Sequence, residues 1–317
     1  MDALSNVLKS VSLEGAMYLN AEFTAPWCIR GECSAEMRER LPSADHVMFF
    51  HFLTQGACKA RLAGGGETLD VNAGDLILVP RYERHLLGSD LQLAPIDAAM
   101  LISPGADENF IHLRHGGGGA ATRFVCGYLA CSRALCRPLL DGLPRIARIS
   151  IGDGPAATLL RDLLHVGVRE SAASRPGGES MLAKLSEFLF VEAMRRYVET
   201  LPPQGEGWLA GVRDAHVGRA LALLHAEPHR TWTVDTLARG AALSRSALAE
   251  RFTTLVGVPP MQYLMRWRLA LAAESLRSTA DAIARISERA GYESEAAFSR
   301  AFKREFGSPP ATWRRAS

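Results

Sequence analysis

The stretch SRSALAERFTTLVGVPP (Ser244–Pro260) is written again as SEAAFSRAFKREFGSPP (Ser294–Pro310). Ser244, Leu248, Phe252, Gly257, Pro259 and Pro260 recur as Ser294, Phe298, Phe302, Gly307, Pro309 and Pro310. Upstream the register slips by one, so that Val234, Leu237 and Ala238 correspond to Ile283, Ile286 and Ser287. The slip is expected in a turn, where an extra residue costs least. Each copy reads as two short helices. In the first, Asp235 to Arg239 is helical in composition, the turn runs through Gly240 to Leu243, and Ser244 is an N-cap for a helix toward Val256. In the second, Gly291 breaks the chain and Ser294 caps. Gly257 and Gly307 stand as C-terminal stops, each followed by prolines that can open the next helix but not continue the last.

Helical spacing buries Leu248, Phe252 and Leu255 or Val256 in one copy and Phe298, Phe302 and Phe306 in the other. It leaves Arg245, Ser246, Ala249 and Glu250 outside, and likewise Glu295, Ala296, Ser299, Arg300 and Lys303. Paired amphipathic helices most often simply pack. Here they recur across a spacer, Pro259 to Ser278, that carries Leu264, Trp267, Leu271 and Leu276 with no internal breaker. A helix of about 20 residues is roughly 30 Å long, and successive major grooves on one face of B-DNA lie about 34 Å apart. One chain can therefore set two helix-turn-helix units in adjacent grooves. The nine outward residues are the candidate DNA-binding set, with Arg300 directed at a base edge and Lys303 at phosphate. Glu250 repels phosphate unless it accepts from a cytosine amino group, so it is expected to specify rather than attract.

From Val217 to Arg315, and most closely in GYESEAAFSRAFKREFGSPPATWR from Gly291, the chain resembles the DNA-binding domain of the AraC/XylS regulators. The resemblance implies a seven-helix module with two helix-turn-helix units bridged by the long helix. Double-stranded DNA is the partner it implies, and RNA polymerase is left open as a further one.

The charge agrees with a nucleic-acid partner. Of 317 residues 48% are hydrophobic and 22% charged, which describes an ordinary globular protein. The net charge of +2 divides unevenly: Arg213 to Arg315 holds 16 Lys/Arg against 10 Asp/Glu, while the rest holds 20 against 24. The basic end is the end with the repeat, as phosphate binding requires. No apolar run approaches the roughly 18 residues of a membrane span, and no basic-then-hydrophobic leader opens the chain, so a cytoplasmic protein is expected. Six cysteines do not amount to a disulfide framework and are expected to rest as thiols there.

Met1 to Val11 reads as a short amphipathic helix that packs somewhere on the domain following it. From Leu13 to about Asp141 short apolar runs alternate with turn residues, as in a β-sandwich or barrel. Candidate strands are Gly15–Phe23, Val47–Gln55, Ala57–Leu62, Asp75–Pro80, Asp97–Ile102 and Thr122–Leu129. GDLILVPRYERH (Gly74–His85) is similar to the second cupin motif, with Tyr82 where that motif has its second glycine. Together with FHFLTQGACKARL from Phe50 and with Pro26-Trp27, it makes residues 1–143 resemble the cupin-type sensor of one AraC/XylS branch, which includes oxidant-responsive members. The resemblance implies a small β-barrel with a pocket at its mouth.

His51 and His85 are the residues a metal-binding cupin would use, but Phe52 and Leu53 follow His51 where a second histidine is needed. Two imidazoles make a poor site, since catalytic metals usually hold three protein ligands. No metal, cofactor or catalytic residue is expected, and both histidines are assigned to an effector pocket. Cys126, Cys131 and Cys136 are the redox candidates, with Arg133 and Arg137 near enough to Cys131 and Cys136 to lower a thiol pKa; Cys28 and Cys33 share the same four-residue gap, which is not the two-residue gap of zinc knuckles. The pocket is the preferred route for the signal, because barrel mouths are common ligand sites.

After Pro144 the helical period returns, with Ala156–Arg169 and Gly178–Thr200. Met181, Leu185, Phe188, Leu189 and Met194 form an apolar stripe that either packs on its own barrel or, as the resemblance implies, pairs two subunits in a homodimer. LPPQGEGW (Leu201–Trp208) has the composition of a linker. The reading is an α+β multidomain chain: a cupin-like sensor (1–143), a helical extension for dimerisation (144–200), a linker (201–211) and an all-α DNA-binding domain (212–317). It is a regulator in which an effector or redox signal shifts the population of dimers able to bind adjacent half-sites. The rival is a cupin metalloenzyme with an accessory DNA-binding domain.

Overall fold

A computed structural model describes residues 2–11, 13–32, 46–101, 111–152, 154–172, 176–202 and 205–315. The chain forms two compact units. One comprises Leu13–Cys131 and Leu143–Tyr197, the other Met1–Ser12, Ser132–Gly142 and Val198–Ser317.

The first unit is built from β1 (Glu14–Thr24), β2 (Cys28–Gly31), β3 (His46–Gln55), β4 (Ala57–Leu62), β5 (Leu69–Asn72), β6 (Asp75–Val79), β7 (His85–Gly88), β8 (Ile96–Asp97), β9 (Ile111–Gly116), β10 (Ala121–Cys131) and β11 (Ala147–Ser150). A six-stranded sheet runs in the order β11-β6-β3-β10-β1-β9 and a five-stranded sheet in the order β5-β4-β7-β2-β8. Both contribute to one core, including Phe23, Phe49, Leu53 and Phe124 from the larger sheet and Ile29, Ala60 and Leu87 from the smaller. β3 and β6 are buried along nearly their whole length, so both faces of the larger sheet are covered at these two strands.

The strand expected over Asp97–Ile102 is not formed as far as Leu101, and Ile102 lies outside the described residues. β8 ends at Asp97, whose carboxylate accepts the Ala99 N–H at 3.0 Å, and a 3₁₀ turn follows over Ala98–Leu101. A side chain bonding its own backbone has displaced the ladder. Tyr82, at the motif's glycine position, takes φ +64. The turn keeps the conformation that favours glycine, and the tyrosine ring packs edge-on against Phe49 at 5.1 Å.

Two helices complete this unit, α3 (Pro155–Ala172) and α4 (Gly178–Thr200); the number α2 belongs to a helix of the other unit. Leu185, Leu189 and Met194 are buried, and Gly15 of β1 lies so close to α4 that a Cβ there would meet Ser186 at 2.7 Å. Most of the predicted stripe is therefore buried within its own subunit, and part of it lies on α3, where a Cβ on Gly167 would meet the Leu185 side chain at 3.1 Å. Among the described residues the exposed large apolar side chains of the two helices are Phe188 on α4 and Leu159, Leu163 and Val166 on α3.

The second unit is helical: α1 (Ala3–Ser10), α2 (Arg133–Asp141), α5 (Trp208–Arg213), α6 (Ala215–Ala226), α7 (Val234–Gly240), α8 (Arg245–Val256), α9 (Pro260–Ser278), α10 (Ile283–Arg289), α11 (Glu295–Phe306) and α12 (Pro310–Arg315). The amino-terminal helix belongs to the helical unit and not to the sheet unit that follows it in sequence. It buries Ala3, Leu4 and Val7 against α6, and Asn6 donates to the Ala222 carbonyl. α2 was not foreseen. It buries Leu135, Cys136, Leu139 and Leu140 and packs on α5 and α9.

Candidate functional site

The two copies fold alike down to individual hydrogen bonds. Ser244 Oγ accepts the Ala247 N–H and Ser294 Oγ accepts the Ala297 N–H, each at 3.2 Å. Both recognition helices end on a left-handed glycine, Gly257 (φ +81) and Gly307 (φ +79). In the turns, Leu243 N donates to Ala238 O and Tyr292 N to Ser287 O, at 3.0 and 3.1 Å. The register slip therefore lies after these residues, at Glu293. The left-handed turn residue is Ala242 (φ +56) in the first copy and Gly291 (φ +80) in the second.

Leu248, Phe252, Phe298 and Phe302 are fully buried, which turns the opposite faces outward. Arg245, Ser246, Glu250, Glu295, Ala296, Arg300 and Lys303 are exposed, and Ala249 and Ser299 half-buried. The two faces differ in charge. On α8, Arg245 faces Asp235 at 3.3 Å, and Arg251 donates from Nε at 2.9 Å to Asp214, the N-cap of α6. On α11, Arg300, Lys303 and Arg304 make no ion pair among the described residues. Free positive charge is concentrated on the second helix. Arg251 and Arg304 were not in the predicted set; Arg304 adjoins Lys303 in the sequence, and Arg251 adjoins Glu250.

Beneath the readers, Trp208 Nε1 donates to Tyr263 Oη at 2.7 Å, and Tyr263 in turn meets His225 Nε2 at 2.7 Å. The tryptophan has only a donor, so the phenol donates onward and Nε2 accepts. Burial lowers the His225 pKa to about 3 and raises that of Tyr263.

In the sheet unit, His51, His85 and Cys126 come together. Cys126 pairs directly across from His51 between β10 and β3. Its Sγ is 2.9 Å from His51 Nδ1; His51 Nε2 is 2.8 Å from His85 Nε2; His85 Nδ1 is 3.0 Å from the Glu83 carbonyl. One arrangement of protons satisfies all three contacts: thiol to His51, His51 to His85, His85 to carbonyl. Burial lowers both imidazole pKa values, His51 further because His85 adjoins it, and raises that of the thiol. The group is a neutral, closed chain. Gly31 leaves room for it, since a Cβ there would lie 2.4 Å from His85 Nε2. Among the described residues no group of three or more His, Cys, Asp and Glu is arranged to hold a metal ion.

The redox candidates separate. Cys126 is a free buried thiol, as are Cys28 and Cys58, whereas Cys131 and Cys136 are disulfide-bonded. The expectation that all the cysteines rest as thiols fails for these two. Cys131 is the last residue of β10, and Cys136 sits in the first turn of α2, 3% and 1% exposed. Cys33 lies outside the described residues.

The profile of the Cupin family matches residues 2–199, and that of the Helix-turn-helix domain residues 237–316. A putative AraC-like transcription regulator of Streptomyces lividans is 34% identical over 99% of this chain and 98% of its own. The HTH-type transcriptional regulator AlkR of Acinetobacter baylyi is 29% identical over the whole of both. Among solved structures, the DNA-binding domain of AdpA in complex with a target DNA is 30% identical over 32% of this chain and 93% of its own, with a TM-score of 0.31. No helix among the described residues is long and apolar enough to cross a membrane.

Proposed function

Because the chain belongs to the AraC-like transcription regulators, we propose that α8 and α11 enter successive major grooves and that the sheet unit supplies the signal governing when they do so. The observation that carries the reading is the pair of identically capped helices with outward polar faces. The charge difference assigns them separate tasks. Arg300, Lys303 and Arg304 anchor α11 on DNA. α8 has its arginines engaged by aspartates and Glu250 exposed, so it contributes selectivity more than attraction.

Arg300→Ala with Lys303→Ala tests this on the duplex that the full chain enriches from a random-sequence pool. Affinity should fall about tenfold or more, within the range expected for a lost bidentate guanine contact, and the salt dependence should become shallower by about one phosphate contact. Unchanged affinity and slope would remove α11 from the interface.

We read the sheet unit as sensory rather than catalytic, since its buried histidines are already satisfied by each other. The signal is a ligand in the barrel, which acts by rearranging the chain from Cys126 to Glu83. A second reading is favoured by the disulfide at Cys131 and Cys136: the signal is oxidation at the end of β10. Two copies associate through the exposed apolar residues of α3 and α4, and the regulator works in the cytoplasm.

A further inference from the structure

We propose that α2 is a brace that sets the separation of the two recognition helices, and that Arg137 is the residue positioning the second of them. The inference rests on the DNA-reading function above. α2 leaves the last long strand of the sheet unit, yet it packs along α9, the helix joining the readers.

Its two ends serve the two halves. Past its C-terminus, Gly142 abuts Leu209 so closely that a Cβ on residue 142 would lie 2.9 Å from the leucine side chain. Leu209 belongs to α5, which packs on α8. Near its N-terminus, Ala134 packs on the core that holds Leu276 of α9 and Phe298 and Phe302 of α11. Between these contacts, Arg137 Nη1 donates to Glu305 Oε1 at 2.9 Å, in the last turn of α11. The other carboxylate oxygen of Glu305 is 3.9 Å from Nε of Arg266 on α9.

Glu305 is thus held between guanidiniums from the brace and the joining helix, with its side chain only 21% exposed. It is turned away from the DNA-facing set, so Arg137 acts on DNA through the placement of α11. Placement matters because half-sites on one face lie about 34 Å apart, at 10 to 10.5 base pairs per turn. One inserted base pair moves the second half-site by about 3.4 Å and about a tenth of a turn. A reader on a fixed brace rejects that change, and a reader freed from it tolerates it.

The test uses the full chain as wild type, Arg137→Gln, Arg137→Lys, Glu305→Gln and the Arg137→Gln/Glu305→Gln double variant. Each is titrated against the duplex enriched by the wild type from a random pool and against the same duplex with one base pair inserted between half-sites. Arg137→Gln and Glu305→Gln should each weaken the enriched duplex by up to about fivefold, the range of a partly exposed ion pair, and should reduce discrimination against the insertion. The double variant should lose less than the sum of the two single ones, since both break the Arg137–Glu305 pair; Arg137→Lys should stay near wild type. Amide exchange without DNA should quicken in Glu295–Phe306 and stay constant in Arg245–Val256. Losses that add in the double variant, or discrimination and exchange that do not move, overturn the proposal. If the wild type enriches no duplex, the DNA-reading function fails, and the exchange data alone decide the brace. Should Arg137→Gln fail to fold, Arg137→Lys and Glu305→Gln carry the comparison.

Discussion

Single residues carry consequences that their neighbours in the sequence do not announce. His225 is one, a neutral imidazole buried under the readers with its pKa lowered to about 3. The unfolded chain takes up a proton near pH 6.5 and the folded chain resists it, so the contribution is fully present above that pH and is lost as pH falls toward 3. We expect the helical unit to lose about 1.4 kcal/mol of stability per pH unit below about 6.5. Tryptophan fluorescence in denaturant titrations at pH 7, 6 and 5 reads this unit, because Trp208, Trp232, Trp267 and Trp313 lie in it and Trp27 alone lies in the other. In His225→Phe that part of the slope should vanish; equal slopes in both proteins would show that the folded state protonates His225 near its ordinary value. Ala242 and Tyr82 depart from local rule in another way. Both hold left-handed backbone that costs a residue with a Cβ about 1 to 2 kcal/mol, and both occupy turns whose counterpart, in the other repeat or in the cupin motif, is glycine. The repeat therefore exposes a strain that no single copy would reveal.

At the scale of elements, legibility followed length and repetition. The recognition helices, the joining helix and the long strands β1, β3 and β10 were readable, because caps, breakers and apolar periods agree over ten or more residues. β2, β5, β7 and β11 were not, since four residues hold too little pattern. α2 was hidden by its brevity and by Pro138 within it, and its place beside α9 rests on contacts far apart in sequence. The histidine site was half legible: the motif supplied His51 and His85, whereas Cys126 joins them through strand register. The apolar stripe on α4 was legible as a stripe but not as a surface, because period alone does not say which neighbour covers it. Among the described residues the large apolar side chains left uncovered are Leu159, Leu163 and Val166, which recur at helical spacing on α3, and Phe188 on α4. Leu159 is 53% and Val166 50% exposed. A two-fold contact uses each twice, and each buried aliphatic side chain contributes about 1.5 to 3 kcal/mol. Leu159→Glu with Val166→Glu should weaken self-association more than about a hundredfold in sedimentation equilibrium. Association equal to wild type would place the interface elsewhere.

Over the whole molecule, one strand joins the two questions that matter for regulation. β10 carries Cys126, which bonds His51, and ends at Cys131, after which the chain becomes α2 on the joining helix of the readers. A change in the barrel and a change in the disulfide would therefore act on the same exit from the sheet unit. They differ in what they require. A ligand needs His51 and His85 and is indifferent to Cys131 and Cys136; an oxidant needs the two cysteines and leaves the imidazoles alone. The measurement is a reporter driven by the enriched duplex, run with wild type, with Cys131→Ser/Cys136→Ser and with His85→Gln, under hydrogen peroxide, hypochlorous acid and pooled small metabolites. We expect metabolites to change the wild-type output, the serine variant to follow the wild type, and His85→Gln to blunt the response, because its amide cannot both accept from His51 and donate to the Glu83 carbonyl in the imidazole's geometry. The oxidants should leave all three unchanged. An oxidant response present in the wild type and His85→Gln but absent in the serine variant would move the signal from the barrel to the end of β10, and the disulfide would then be the switch.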